Sequence, residues 1–275
     1  MNRILCAVSL FTLTLITLAN AQTGRQEEAS ARQASLAAKQ QYVVPGVDAT
    51  ETCSFNFSAN TGNKFIKYCV TKNGNITQFE SPSGNEFISL SPAGEGYGLC
   101  NFDAATAYVD YAGYGDSGNW QAPTTMSSSA TSVKIARATT DGIFTLTQTI
   151  ALMKGTSTAQ VTMAIKNNTS TPRHIGLLRF ADVDAGGFSG NSFDFTNRTA
   201  FGYNQSGPGL QLQFVSGAFL NGGFSQIIPG GPDPCQIFTH VVGPLANTDG
   251  SIFMQFDMNL AANASKTVVV AYKSF

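Results

Sequence analysis

The side chains best suited to chemistry are a few carboxylates, one arginine and two histidines, set in a chain that is otherwise apolar or rich in hydroxyl groups. Asp182 and Asp184 close the run Arg179-Phe180-Ala181-Asp182-Val183-Asp184, just before Gly186-Gly187. Two positions apart, they share one face of a continuing strand. Where the chain turns, their oxygens and nearby carbonyls would converge on a hard cation. Asn191 and Asp194 would add ligands, and calcium suits such an oxygen set. The competing use of these carboxylates is to cap turns by accepting from free backbone N–H groups. The spacing lacks the full EF-hand pattern.

Arg179 stands between Leu178 and Phe180, so alternation points it away from both. A buried arginine needs a partner, and Asp182, Asp184 or Glu95 could supply it. Glu95, flanked by Gly94 and Gly96, is the leading catalytic carboxylate, with Glu80 and Glu86 nearby in sequence. Glycoside hydrolysis needs two carboxylates at a fixed separation, which a sequence does not reveal. Of the histidines, His174 and His240, the former is a candidate acid or base at a strand start.

A third group is aromatic. Tyr108, Tyr111, Tyr114 and Trp120 are interleaved with Asp110, Asp116 and Asn119. A sugar stacks its C–H faces on flat rings and hydrogen-bonds its hydroxyls to carboxylates and amides. Tyr114, Asp116 and Trp120, in a glycine-rich loop, are the candidate ligand-binding residues. The same rings could simply fill a core.

The elements that must position these groups are strands. Ile143–Leu152, Ala159–Ile165 and His174–Asp184 follow one another in alternating or continuous apolar patterns. Asn73-Gly74 and Asp141-Gly142 are strong two-residue turn signals, because both positions tolerate positive φ. Cys53, Phe55 and Phe57 begin a hairpin, and the run Ile252, Met254, Phe256, Met258 alternates near the end. About fourteen strands at short spacing indicate an all-β fold, a large antiparallel β-sandwich. Residues 217–235, rich in Gly and Pro, are too long for a simple turn.

Met1–Ala21 reads as a signal peptide: Arg3, an apolar stretch, then Ala19-Asn20-Ala21. Residues 22–46 form a polar leader, helical at most in part, and 47–275 a single β-sandwich domain. The expected location is secreted or periplasmic. No later segment is long and apolar enough to span a membrane as a helix. Charged residues are 12% of the chain and the net charge is −1, which argues against a nucleic-acid partner. With Cys6 in the signal, Cys53, Cys69, Cys100 and Cys235 remain. Four cysteines in an exported chain point to two disulfides, with three connectivities open.

The stretch containing Tyr68-Cys69-Val70, Gly74-Asn75-Ile76, Phe79-Glu80-Ser81-Pro82 and Glu95-Gly96-Tyr97-Gly98-Leu99-Cys100 resembles a group of exported bacterial proteins of unknown function. Leu146-Thr147-Gln148 and Leu178–Asp184 are similar to that group too. The strand succession also resembles the β-supersandwich of galactose mutarotase-like proteins. Because Cys69 and Cys100 share the first stretch, the resemblance implies Cys69–Cys100 and Cys53–Cys235 as the bridges. Mutarotase chemistry uses a histidine and a carboxylate on a sugar ring, and neither His174 nor His240 matches that motif.

Two functions are therefore expected. One is a non-catalytic extracellular or envelope module binding a glycan or a surface component. The other is a carbohydrate-active enzyme of mutarotase-like architecture, in which Arg179, a histidine and at least one of Glu95, Asp182 and Asp184 line a cleft.

Overall fold

A computed structural model describes residues 52–62, 64–88, 94–113, 115–185, 190–196, 198–205, 207–217, 224–228, 233–236 and 244–275. Signal, leader, Tyr114, His240 and most of residues 217–235 thus lie outside the described residues. Within them the chain is strands and turns, with no helix, as the period-two patterning requires.

Three antiparallel sheets result. Strands β1 (Phe55–Thr61), β2 (Lys64–Val70) and β3 (Ile76–Glu80) make a small one. A six-stranded sheet holds β4 (Glu95–Asn101), β5 (Thr106–Tyr111), β6 (Gly115–Asp116), β11 (Arg173–Asp182), β15 (Phe224–Ile228) and β17 (Ser251–Leu260). Its order is β15-β17-β11-β4-β5-β6. The nine-stranded sheet is built from β7 (Thr124–Ser128), β8 (Ser132–Ala138), β9 (Phe144–Leu152), β10 (Thr158–Asn167), β12 (Asn191–Thr196), β13 (Thr199–Asn204), β14 (Gly209–Gly217), β16 (Leu245–Thr248) and β18 (Ser265–Ser274). Its order is β16-β12-β13-β14-β18-β10-β9-β8-β7.

The chain turns at both expected places, but through connections longer than two residues, Thr71–Asn75 and Thr139–Ile143, in which the glycine and not the residue before it has positive φ. Gly142 (φ 72°) joins β8 to β9, whose register pairs Ala138 with Thr145. Gly74 (φ 96°) sits in the β2–β3 connection.

Alternation explains which face is buried. On β9, Phe144, Leu146, Ile150 and Leu152 point inward, while Thr145, Thr147 and Thr149 stay half-exposed. Val161, Met163 and Ile165 of β10 continue that inner face, and Ile252, Met254, Phe256 and Met258 of β17 meet it from the six-stranded sheet. One cluster unites both sheets and adds Phe57, Ile66, Tyr68, Ile76 and Phe79 of the small sheet. Each large apolar side chain so buried contributes roughly 1.5–3 kcal/mol.

The disulfide pairing implied by the resemblance is corrected here. The bridges are Cys53–Cys69 and Cys100–Cys235. Cys69 lies on β2 of the small sheet, and Cys53 just ahead of β1, its neighbour. Cys100 belongs to β4, on the face away from Leu99 and Asn101. That face is covered by the Asp233–Gln236 turn: Gln236 N–H bonds to Asp233 O, and Pro234 packs on Gly98, where a Cβ would lie 3.1 Å from its Cγ. Nearness along the chain misled the expectation, because residues 69 and 100 end up in different sheets.

Candidate functional site

The chemically competent residues meet between the two large sheets, around the β2–β3 turn. Arg179, on β11, is fully buried and ion-paired through Nε with Glu95 of β4. Register sets this up, since Ala181 faces Glu95 and Arg179 faces Tyr97. Arg179 Nη1 donates to Gln148 Oε1 (2.5 Å), and Nη2 donates to the Gly74 carbonyl (3.1 Å). Glu95 accepts from the Ile76 N–H (2.6 Å) and the Tyr272 hydroxyl (2.8 Å). Burial pushes the Glu95 carboxyl up, while Arg179, the Ile76 N–H and Tyr272 oppose that shift. Burial also works against the Arg179 charge, but Glu95 outweighs it and holds the guanidinium above its usual value.

A second ion pair lies beside the first. Arg137 of β8 pairs with Asp110 of β5 through Nη1 and with Asp116 through Nη2 (2.7 Å). Its Nε donates to the Gln121 carbonyl (2.9 Å). Asn75 Nδ2 donates to Asp110 Oδ1 (2.6 Å). The Tyr97 hydroxyl lies 3.0 Å from the Asn73 carbonyl and 3.2 Å from Asp110 Oδ2. Burial pushes the Asp110 carboxyl up, against the pull of Arg137 and Asn75.

The turn Thr71–Asn75 thus serves both pairs. Gly74 and Asn75 meet one ion each, and Asn73 O takes bonds from Tyr97 and from Gln148 Nε2 (3.3 Å). Gly74 must be glycine for space as well as conformation, because a Cβ there would sit 2.7 Å from Gln148 Nε2. The arrangement is a buried polar network in which each ion is paired, although Asn75 Oδ1 accepts no hydrogen bond. It can hold charge and orient three sheets. With Arg179 and Glu95 fully enclosed, it offers a substrate no open contact with that pair.

The other expected residues are dispersed. Trp120 is buried, edge-on to Tyr97 (5.6 Å) and Tyr108 (5.9 Å), with the Arg137 guanidinium 5.6 Å from its ring. Trp120 therefore belongs to the core rather than to an open ligand loop, while Asp116, partly exposed, is engaged by Arg137. His174 lies at the start of β11, half-exposed, with Nε2 2.5 Å from Asp257 Oδ1 and its ring against Phe102 (4.7 Å). It is on the opposite face of β11 from Arg179, and Glu95 is not its partner.

Asp182 is buried, with its N–H bonded to the Gly94 carbonyl (2.7 Å). Asp184 N–H bonds to Phe87 O (3.0 Å). Asp194 is exposed on β12 and accepts from the Phe195 N–H (2.7 Å). Among the described residues, no three of His, Cys, Asp and Glu gather as metal ligands.

Arg137, Gln148 and Tyr272 were missed as network members. A signal was present for two of them. Arg137 is in phase with Val133 and Ile135, and Gln148 with Leu146 and Ile150, so each is a polar residue on an inward face.

No family model matches the chain, and no curated protein matches it. Among solved structures, the fold is similar to a bacterial glucoamylase complexed with acarbose, at TM-score 0.56 and 9% identity over 82% of this chain. The chain spans 33% of that protein's length. It is also similar to a putative aldose 1-epimerase from Escherichia coli K12 (TM-score 0.45, 12% identity, 80% of this chain and 99% of that one). A GalM/aldose epimerase homologue from C. elegans gives TM-score 0.48 and 10% identity, over 81% of this chain and 99% of that one. These likenesses concern the fold.

Proposed function

We propose that this protein is an exported, non-catalytic β-sandwich module that binds a glycan or another surface component. One observation carries the reading: Glu95 and Arg179, the residues best suited to acid–base work, are fully buried and hydrogen-bonded to each other and to Ile76, Gly74, Gln148 and Tyr272. A general acid or base must come within hydrogen-bond reach of its substrate, and these do not. The two disulfides are in keeping with an oxidising compartment. The reading includes removal of the signal near Ala21 and a secreted or periplasmic location. The likeness to a glucoamylase fits a carbohydrate context without specifying one.

A carbohydrate-active enzyme is the second reading. The half-exposed His174–Asp257 pair favours it, since a carboxylate-oriented imidazole is a competent proton carrier. The test is a glycan array with the mature chain, run beside epimerase and glycosidase assays on every glycan bound. Binding without turnover is expected. Turnover lost in His174→Ala would establish the enzyme reading instead.

A further inference from the structure

The nine-stranded sheet turns its other face outward. Along β13, β14 and β18, Ala200, Leu210, Leu212 and Tyr272 are buried. Their alternating neighbours therefore point away from the core. Register aligns these neighbours into two rows. Lys273 pairs with Gln211, Gln211 with Phe201, and Phe201 with Asp194. In the adjoining row, Phe275 exchanges backbone hydrogen bonds with Gly209, which pairs with Tyr203.

Three aromatic rings gather on this outer face. The Phe275 ring meets Phe201 at 5.4 Å and 84°, and Tyr203 at 6.1 Å and 63°. The bare backbone of Gly209 makes room, since a Cβ there would lie 2.5 Å from Tyr203 Cβ and 2.7 Å from Phe275 Cζ. Phe275 is 52% exposed, and Phe201 and Tyr203 are half-buried.

Rings packed edge to face on the solvent side of a sheet have a plain structural use, which is to fasten the last strand to its neighbour. That use does not account for the polar groups beside them. An ammonium, a carboxamide and a carboxylate share one row with Phe201, across three strand spacings or about 14 Å. The exposed Phe275 and the open parts of Phe201 and Tyr203 offer an apolar surface, and the row offers both donors and acceptors. This is the combination a sugar chain needs. Lys273 and Asp194 carry opposite charges at the two ends of the row, so the row as a whole is uncharged and suits an uncharged ligand.

Resting on the glycan-binding reading above, we propose that Phe201, Tyr203 and Phe275, with Lys273, Gln211 and Asp194, form a platform that docks a neutral oligosaccharide. The rings stack on the C–H faces, and the row of polar groups engages the hydroxyls.

The experiment probes the mature chain with neutral gluco-, xylo-, manno- and galacto-oligosaccharides and with uronate and sulfated oligosaccharides. Affinities are compared among wild type, Phe201→Ala, Phe275→Ala and the remote control Met126→Ala. Amide NMR shifts of the wild type on titration locate the ligand without any substitution. Expected are binding of a neutral oligosaccharide, a tenfold or greater loss in both ring variants, no change in the control, and shifts centred on Tyr203, Gln211 and Lys273. Neutral-glycan binding with unchanged ring variants and shifts elsewhere overturns the platform and leaves the glycan reading standing. Binding of anionic oligosaccharides alone overturns the platform as an uncharged site. Absence of binding to any glycan overturns both.

Discussion

Arg179 Nη1 donates to Gln148 Oε1 at 2.5 Å, and this bond joins the six-stranded sheet to the nine-stranded one through the middle of the core. Both residues occupy positions where alternation calls for an apolar side chain. Their cost of burial is offset only because every charge in the neighbourhood has a partner.

Removing one partner should therefore be severe. Arg179→Met leaves Glu95 buried without its cation, and a loss of about 3–5 kcal/mol is expected. The double variant Arg179→Met/Glu95→Gln should recover part of it, since Gln carries no charge, its one carbonyl oxygen still accepts from the Ile76 N–H, and its amide NH2 donates to the Tyr272 hydroxyl instead of accepting from it. Urea unfolding of both variants checks this. Equal stability of Arg179→Met and wild type would contradict the network's role.

Trp120→Ala opens a cavity between Tyr97, Tyr108 and Arg137, at a cost of about 3–5 kcal/mol. Glycan affinity of the folded fraction should stay at the wild-type value. A selective loss of binding with an unchanged melting temperature would return Trp120 to the ligand site.

The disulfides differ in the length of chain they close, 16 residues for Cys53–Cys69 and 135 for Cys100–Cys235. Chain-entropy arguments give roughly 3 kcal/mol for a loop near the first length and almost 5 for one near the second. Paired Cys→Ser replacements should rank in that order by thermal unfolding. Peptide mapping without reductant checks the connectivity itself.

Two carboxylates should respond to pH with opposite sign. Burial works to raise Asp141, but bonds from the Thr139 and Tyr108 hydroxyls and the Ile143 N–H prevail and hold it below its usual value. Its contribution is complete above the ordinary aspartate range and is lost as pH falls through the folded value. Burial raises Glu86, against the bonds from the Phe79 and Ile88 N–H groups. Its contribution is present below the ordinary glutamate range and is lost as pH rises through the raised value. Melting temperature against pH should show a shallower acid-side loss in Asp141→Asn. In Glu86→Gln the acid side should lose its gain. Parallel curves for wild type and both variants would contradict the assignment.

The scaffold was legible where one physical rule decided it. Thr145, Thr147 and Thr149 between Leu146 and Ile150 specify a half-buried strand, and Asp141-Gly142 specifies the turn before it. Arg179 was legible as a buried cation, and Glu95 was among its possible partners, because apolar neighbours force a charge to find an opposite. The pairing of cysteines was not legible, since it depends on which sheet each strand joins. Trp120 was misplaced for a related reason: a glycine-rich approach resembles a surface loop, yet Trp120 bridges to Thr139 and the chain runs into the core. The platform rows were invisible because Phe201, Gln211 and Lys273 become neighbours only through register.

The polar network also bears on how the chain reaches this state. Tyr272 meets Glu95 across 177 residues, and the Ser81 and Ser274 hydroxyls meet across 193. The early segment that carries the β2–β3 turn cannot find its full set of partners until the last strand exists. Contacts of such separation slow folding. The protein should thus remain open and threadable during synthesis and close late, as a single cooperative event.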